Sequence, residues 1–408
     1  MTIRIEADLL IPGRGAPIHR GLVVIESGTI AYAGPAATAP DTPGAATTHV
    51  TTVMPGMWEC HGHFVGITNP DFSVAAIESR VTQAARATAD LKATLDAGVT
   101  SVRELGGLGI HLRQAVAEGF IPGPSIYAAG SVLSTTGGHA DIHGFPIHWV
   151  EELGSASSFL GYTCDGVDGC LKAVRAQLRM GADVIKVCAS GGVMSEIDHP
   201  IHQQFSDEEL RAIVEEAARA ERVVAAHCHG KPGIMAALRA GVKTIEHGSY
   251  LDDEAAEMML AQDAILVPTR FVVVELLGME ERIPPYAYRK GVMVADHQAM
   301  AMKTAVAAGV KIAMGTDIFL SGPMYGRNSA EIPLLMDAGM TPLEAIEAAT
   351  ATGPETLGPQ APRSGRLEDG YDADVIAFDT NPLEDPSVWG DPTRVTHVWK
   401  TGTLVKQP

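Results

Sequence analysis

The sequence predicts an α/β protein: a (β/α)8 barrel with a small β-sandwich domain built from both termini. Three observations point there. Both ends of the chain read as short strands and turns, while the middle alternates strand and helix. A helix-stop signal, a small residue and Gly followed by a β-branched strand, recurs through that middle. Its copies are Asp96-Ala97-Gly98-Val99, Arg179-Met180-Gly181-Ala182, Arg239-Ala240-Gly241-Val242 and Ala307-Ala308-Gly309-Val310. A left-handed cap is cheap only for Gly, and short β-branched runs suit strands buried on both faces.

Taken in order, residues 1–53 begin with an alternating stretch, Met1 to Glu6, and continue into a hairpin over Gly21 to Gly34 with Ser27-Gly28 as its turn. Eight strand candidates follow, near residues 53–60, 99–104, 125–130, 184–189, 223–227, 243–247, 264–268 and 311–316. Helices separate most of them. Ser206 with Glu209 reads as a capping box, and Thr341-Pro342-Leu343-Glu344 starts another helix with Pro at its first position. Residues 363–408 return to turns and strands, so the small domain takes 1–53 and 363–408 and the barrel takes 54–362. A doubly wound open sheet is the alternative architecture. No G-x-G-x-x-G follows an early strand, so a dinucleotide fold has no direct support.

The totals exclude several function classes. The 408 residues carry a net charge of −19, with no basic stripe to neutralise nucleic-acid phosphates or to meet an anionic membrane. No apolar run is long enough to span a bilayer, and the N-terminus has no signal-peptide core. Five scattered cysteines, Cys60, Cys164, Cys170, Cys188 and Cys228, do not form a disulfide framework. They read as small buried fillers in a reducing cytoplasm.

In a barrel the chemistry sits at the C-terminal ends of the strands. The first strand ends in His61-Gly62-His63. Alternate residues of a strand share a face, so both rings can grip one metal ion. Among 15 histidines an H-x-H pair is nonetheless a weak signal alone. Lys186 lies inside the apolar run Val184-Ile185-Lys186-Val187-Cys188. It is either a lysine that snorkels or pairs with an acid, or a neutral amine that reacts with CO2 to give a carbamate able to bridge two metals. His227 and His247 end the fifth and sixth strands. Asp317, after Met314-Gly315-Thr316, is either a helix cap or a metal-bound carboxylate that shuttles protons. All of these fall at one rim.

On these residues the chain resembles the amidohydrolase superfamily in its binuclear, carboxylated-lysine form. The stretches Pro55 to His63, Thr244 to Gly248, Met314 to Asp317 and Gly365 to Asp374 carry the likeness. Lys186 to Ser195, Thr135 to Asp141 and His227 to Gly230 resemble the group of Xaa-Pro and Xaa-Arg(Lys) dipeptidases, ochratoxinases and phenylurea hydrolases. One departure is Glu59, where Asp is usual two residues before the first His. It is not expected to be a ligand.

The resemblance implies that His61 and His63 hold one divalent ion with Asp317, and that His227 and His247 hold the other. It implies that Lys186, as N6-carboxylysine, bridges them through its CO2-derived carbamate. Imidazole and carboxylate ligands suit zinc. The implied reaction is attack of a metal-bridging hydroxide on an amide carbonyl, with Asp317 passing the proton to the leaving nitrogen. The implied substrates are small N-acyl amino acids or dipeptide-like amides. Ureas, carbamates or arylamides are the alternative, and a non-catalytic relative is disfavoured because no ligand position is lost. His139, on a long loop after the third strand, is a candidate to polarise the substrate, and His229 to face it. Arg270, Tyr286, Tyr288 and Arg289 follow the seventh strand and are candidates for a substrate carboxylate. Homo-oligomerisation is expected from the family likeness alone.

Overall fold

The computed structural model describes residues 2–156 and 161–408; Met1, counted above in the first strand, lies outside them. Four strands open the chain: β1 Thr2–Leu10, β2 Ile18–Glu26, β3 Thr29–Pro35 and β4 Ala46–Pro55. The middle supplies β5 Met57–Gly62, β6 Val99–Glu104, β7 Ser125–Ala128, β8 Leu133–Ser134 and β9 Tyr162–Thr163. It continues with β10 Ile185–Cys188, β11 Val224–Cys228, β12 Thr244–His247, β13 Ile265–Val267 and β14 Lys311–Ile312. The chain ends with β15 Val375–Phe378, β16 Val395–Lys400 and β17 Thr403–Lys406.

Strands from both ends of the chain share one sheet, in the order β17-β16-β15-β4-β1-β2-β3. The joint is the antiparallel pair β4 and β15, with Val53 opposite Ala377. The β2–β3 turn has positive φ at both Ser27 and Gly28, the backbone twist that a two-residue hairpin needs. Ile5, Val23, Ile25, Val375, Ala377 and Trp399 fill the apolar face of this sheet.

The middle strands are parallel and buried on both faces, as their β-branched runs require. Gly181, Gly241 and Gly309 cap the preceding helices in the left-handed conformation. Both capping boxes form, at Ser206–Glu209 and Thr341–Glu344. The strands do not all pair in a single sheet. Three form β5-β6-β7, and seven form β14-β13-β12-β11-β10-β8-β9. The strand expected over 125–130 stops at Ala128, before Gly130 at φ 77° turns the chain. The strand expected over 311–316 pairs only over Lys311–Ile312. Backbone hydrogen bonds cross both gaps. Cys60 N donates to Met314 O at 2.9 Å, Asp317 N to His61 O at 2.9 Å, and Asp183 N to Ala128 O at 2.8 Å. All five cysteines are buried free thiols. No helix among the described residues is long and apolar enough to cross a membrane.

Candidate active site

A cavity of about 360 Å³ opens at the C-terminal ends of the parallel strands. His61, His63, His139, Lys186, His227, His229, His247 and Asp317 all reach its wall. Strand alternation turns His61 and His63 to the same side, with ring centroids 5.2 Å apart. Lys186 Nζ, from β10, lies 3.2 Å from His61 Nε2. β11 and β12 pair with Cys228 opposite His247, which brings the His227 and His247 rings to 4.6 Å. Asp317, just past β14, places Oδ1 3.0 Å from His63 Nε2 and 3.6 Å from His61 Nε2. Donor atoms of His61, His247 and Asp317 lie within 4.8 Å of one another, close enough to hold a metal ion together. His139 stacks on His227 at 4.3 Å, and His229 on His247 at 4.9 Å.

Each imidazole is aimed by a partner behind it. His61 Nδ1 is 2.8 Å from Glu246, and His63 Nδ1 is 2.6 Å from the Gly106 carbonyl. A carboxylate and a carbonyl only accept, so both Nδ1 atoms carry the hydrogen and both Nε2 atoms keep a lone pair. His227 reverses the pattern: its Nε2 donates to the Gly191 carbonyl at 3.1 Å, which leaves the lone pair on Nδ1. Hydroxyls of Thr269 and Ser249 hold Nδ1 of His247 and His229 at 2.7 and 2.8 Å. The set tautomers of His61, His63 and His227 suit metal ligation.

Burial sets the protonation states. It lowers His61 to about 4 and His229 to about 3, and takes His227 and His247 well below the usual imidazole range. Burial also lowers the Lys186 ammonium, favouring the neutral amine that carbamate formation needs. Burial pushes the Asp317 carboxyl up, but His61 and His63 outweigh it and hold it below the usual range. His247 and Asp317 have φ of 67° and 59°. A non-glycine residue at such a φ costs about 1–3 kcal/mol and persists only where its surroundings hold it.

Three expected substrate contacts do not reach the cavity. Arg270 turns into the helix Pro285–Ala308, where its guanidinium donates to Ala295 O at 2.7 Å and to Gln298 at 3.3 Å. Tyr288 and Arg289 are also absent from the wall, whereas Tyr286 is part of it. Only backbone geometry separates these neighbours, because one helix turns successive side chains in different directions.

The supporting groups were the least visible in sequence. Arg103 is fully buried and donates to Glu246 at 2.8 and 2.9 Å, to Thr244 and to the Cys60 carbonyl. Their signal was a charged residue on each of two apolar strands, which must pair if both are buried. Glu59 is not at the metal cluster. It accepts from the backbone of His61 and Thr316 and from the side chains of Thr316 and Asn328. It therefore ties β5 to the segment that carries Asp317.

A sequence model of the amidohydrolase family matches residues 52–405. An ochratoxinase from Aspergillus niger is 44% identical over 421 residues, spanning 99% of this chain and 86% of the relative. The crystal structure of A. niger ochratoxinase superposes with a TM-score of 0.92 at 43% identity, covering 100% of this chain and 96% of that one. A prolidase solved with N-methylphosphonate-L-proline gives 0.91 at 34% identity, and a Xaa-Pro dipeptidase with methionine in its active site gives 0.89 at 32%. Both cover all of either chain.

Proposed function

Because the chain belongs to the amidohydrolase family and is a hydrolase acting on carbon–nitrogen bonds, we propose that it cleaves small N-acyl amino acid or dipeptide-like amides with two divalent ions, zinc by preference. One observation carries this reading: six side chains of metal-ligand chemistry, from five strands, meet at one cavity, with the tautomers of His61, His63 and His227 set by acceptors behind them. His61, His63 and Asp317 would hold one ion and His227 and His247 the other, with Lys186 as N6-carboxylysine between them. The fold we propose is a (β/α)8 barrel with a β-sandwich domain from both ends of the chain. The backbone bonds that cross between the two parallel sheets support it. The free, buried cysteines are compatible with a cytoplasmic enzyme. Assembly as a homo-oligomer is proposed from family likeness alone.

Bound ions supply the Lewis acidity that polarises an amide carbonyl and acidifies a water. The chain supplies the rest. Asp317, ionised and with Oδ1 3.0 Å from His63 Nε2, accepts the proton of the attacking water at a carboxylate oxygen. It delivers that proton to the leaving nitrogen, which departs as a neutral amine. His139 and His229 stack on His227 and His247 at the cavity wall.

The far wall favours a second reading, in which the amide belongs to a urea, carbamate or arylamide. Phe72, Phe319, Val272, Val273 and Leu276 line it, and Lys186, at the cluster, is the only Lys or Arg among the described residues lining the cavity. Such a wall suits uncharged apolar arms better than a second charged group. A panel of dipeptides, N-acyl amino acids and anilides, assayed on protein of measured metal content, separates the two readings. Metal well below one ion per chain, with activity untouched by chelation, overturns both.

A further inference from the structure

His139 is held more firmly than a loop histidine needs to be. One face of its ring stacks on His227 at 4.3 Å with an interplanar angle of 24°. The ring also lies against Gly192, where a Cβ would sit only 2.1 Å from it. In the ring plane, Nδ1 is 2.8 Å from Ser195 Oγ, and the Ser195 hydroxyl donates to the Asp198 carboxylate. The hydroxyl has one hydrogen, and the carboxylate takes it. Ser195 Oγ must therefore accept from Nδ1–H, which settles the tautomer of His139. No protein group among the described residues bonds Nε2.

Asp198 is itself anchored. Gly192 N donates to it at 2.8 Å, Gln204 Nε2 at 3.2 Å and Lys290 Nζ at 3.1 Å. Burial pushes the Asp198 carboxyl up, but His139, Ser195 and Lys290 outweigh it and keep the group ionised. Lys290 also donates to the carbonyls of Gly192 and Ser195. Gln204 accepts from His139 N at 3.1 Å. The chain Lys290–Asp198–Ser195–His139 thus runs from an outer helix to the cavity wall. A carboxylate behind a histidine's Nδ1 fixes which nitrogen faces the reaction; here a serine stands between the two.

We infer that Ser195 and Asp198 are positioning residues that hold His139 as its Nδ1–H tautomer and present Nε2 to the substrate amide. The inference rests on the reading that His139 touches substrate, and the test separates the two. Kinetics on the fastest substrate of the amide panel are measured for S195A, S195T, H139A and H139A/S195A. S195A is expected to lower kcat about 10- to 100-fold, with KM within about twofold and metal content per chain unchanged. S195T keeps a hydroxyl and stays near wild type. In the H139A background, S195A changes nothing further, because its effect passes through His139. Where S195A does not fold, D198N serves in the same cycle. Additive losses in the double variant, or loss of metal in S195A, overturn the positioning role. Wild-type kcat in H139A overturns the substrate role of His139 instead.

Discussion

Glu246→Gln is the sharpest test of how the site is held. The Glu246 carboxylate is fully buried and receives Arg103 twice, His61 Nδ1 and the Thr244 hydroxyl. Gln keeps the shape and loses the charge. Its amide nitrogen then faces either Arg103 or His61, so one buried donor is left without an acceptor. Removing one partner of a buried ion pair costs about 3–5 kcal/mol, and leaving a neutral donor unsatisfied costs about 1–3. The electrostatics give a similar figure. Burial pushes the carboxyl up, but Arg103 and the His61 hydrogen bond hold it at about 2 against an ordinary 4.5. At about 1.4 kcal/mol per tenfold, that corresponds to about 3 kcal/mol. The sign is that of a depressed carboxyl: the stabilisation is present above about pH 4.5 and fades as pH falls towards 2. Urea unfolding of metal-free protein at pH 7 should therefore show E246Q less stable by about 3 kcal/mol. R103M/E246Q should recover part of the loss, since no guanidinium is then left unpaired. With metal present, E246Q should also bind the ions about 10- to 100-fold more weakly, because His61 loses its fixed tautomer. A loss under about 1 kcal/mol at pH 7 would falsify this account of the pair.

Three further outcomes follow from the same geometry. Lys186→Ala should abolish turnover and lower metal content, and short carboxylic acids should restore part of the activity by taking the place of the carbamate; full activity in this variant rules out the bridge. Chelation should lower the melting temperature as well as the activity, since ions bound at 100 times Kd stabilise by about 2.7 kcal/mol each, and an unchanged melting curve after verified metal loss contradicts it. Burial pushes Glu331 up to about 8 while it accepts from the backbone of Arg270 and Phe271. Its folded form keeps a proton that the unfolded chain releases near 4.5, so its contribution is full below that pH and is lost as pH rises through about 8. The stability advantage of wild type over E331Q should therefore shrink between pH 5 and pH 8; urea unfolding at the two pH values measures it, and a rise overturns the assignment.

The parts legible in sequence are those that local physics determines. Gly181, Gly241 and Gly309 marked helix ends because left-handed caps exclude most residues. Ser206 and Thr341 marked helix starts through reciprocal caps. His61 and His63 reached one cavity because the two-residue repeat of a strand fixes facing. The rest depends on contacts distant in sequence. Nothing near Arg103 names Glu246, 143 residues away, and nothing near His139 names Ser195. A basic residue after a strand looks the same in sequence whether it meets substrate or, like Arg270, donates to a carbonyl in a neighbouring helix. The strand over 125–130 was read too long because β-branched composition does not reveal where pairing ends.

The two H-x-H pairs show how far a motif carries and what completes it. His61-Gly62-His63 and His227-Cys228-His229 have the same spacing, and all four rings reach the cavity wall. Their partners differ. His61 and His63 are backed by pure acceptors that leave Nε2 open towards Asp317 and Lys186. His227 spends Nε2 on the Gly191 carbonyl, and His229 rests on a serine hydroxyl that donates or accepts equally well. A ring whose tautomer is dictated is committed to one chemistry, whereas a ring held by a hydroxyl can follow what binds. On that distinction the proposed ligands His61, His63 and His227 have dictated tautomers, whereas His247, the remaining proposed ligand ring, rests on the Thr269 hydroxyl. His229 shares that freedom, and the loop histidine His139 gains the fixity of His61, His63 and His227 through Ser195 and Asp198.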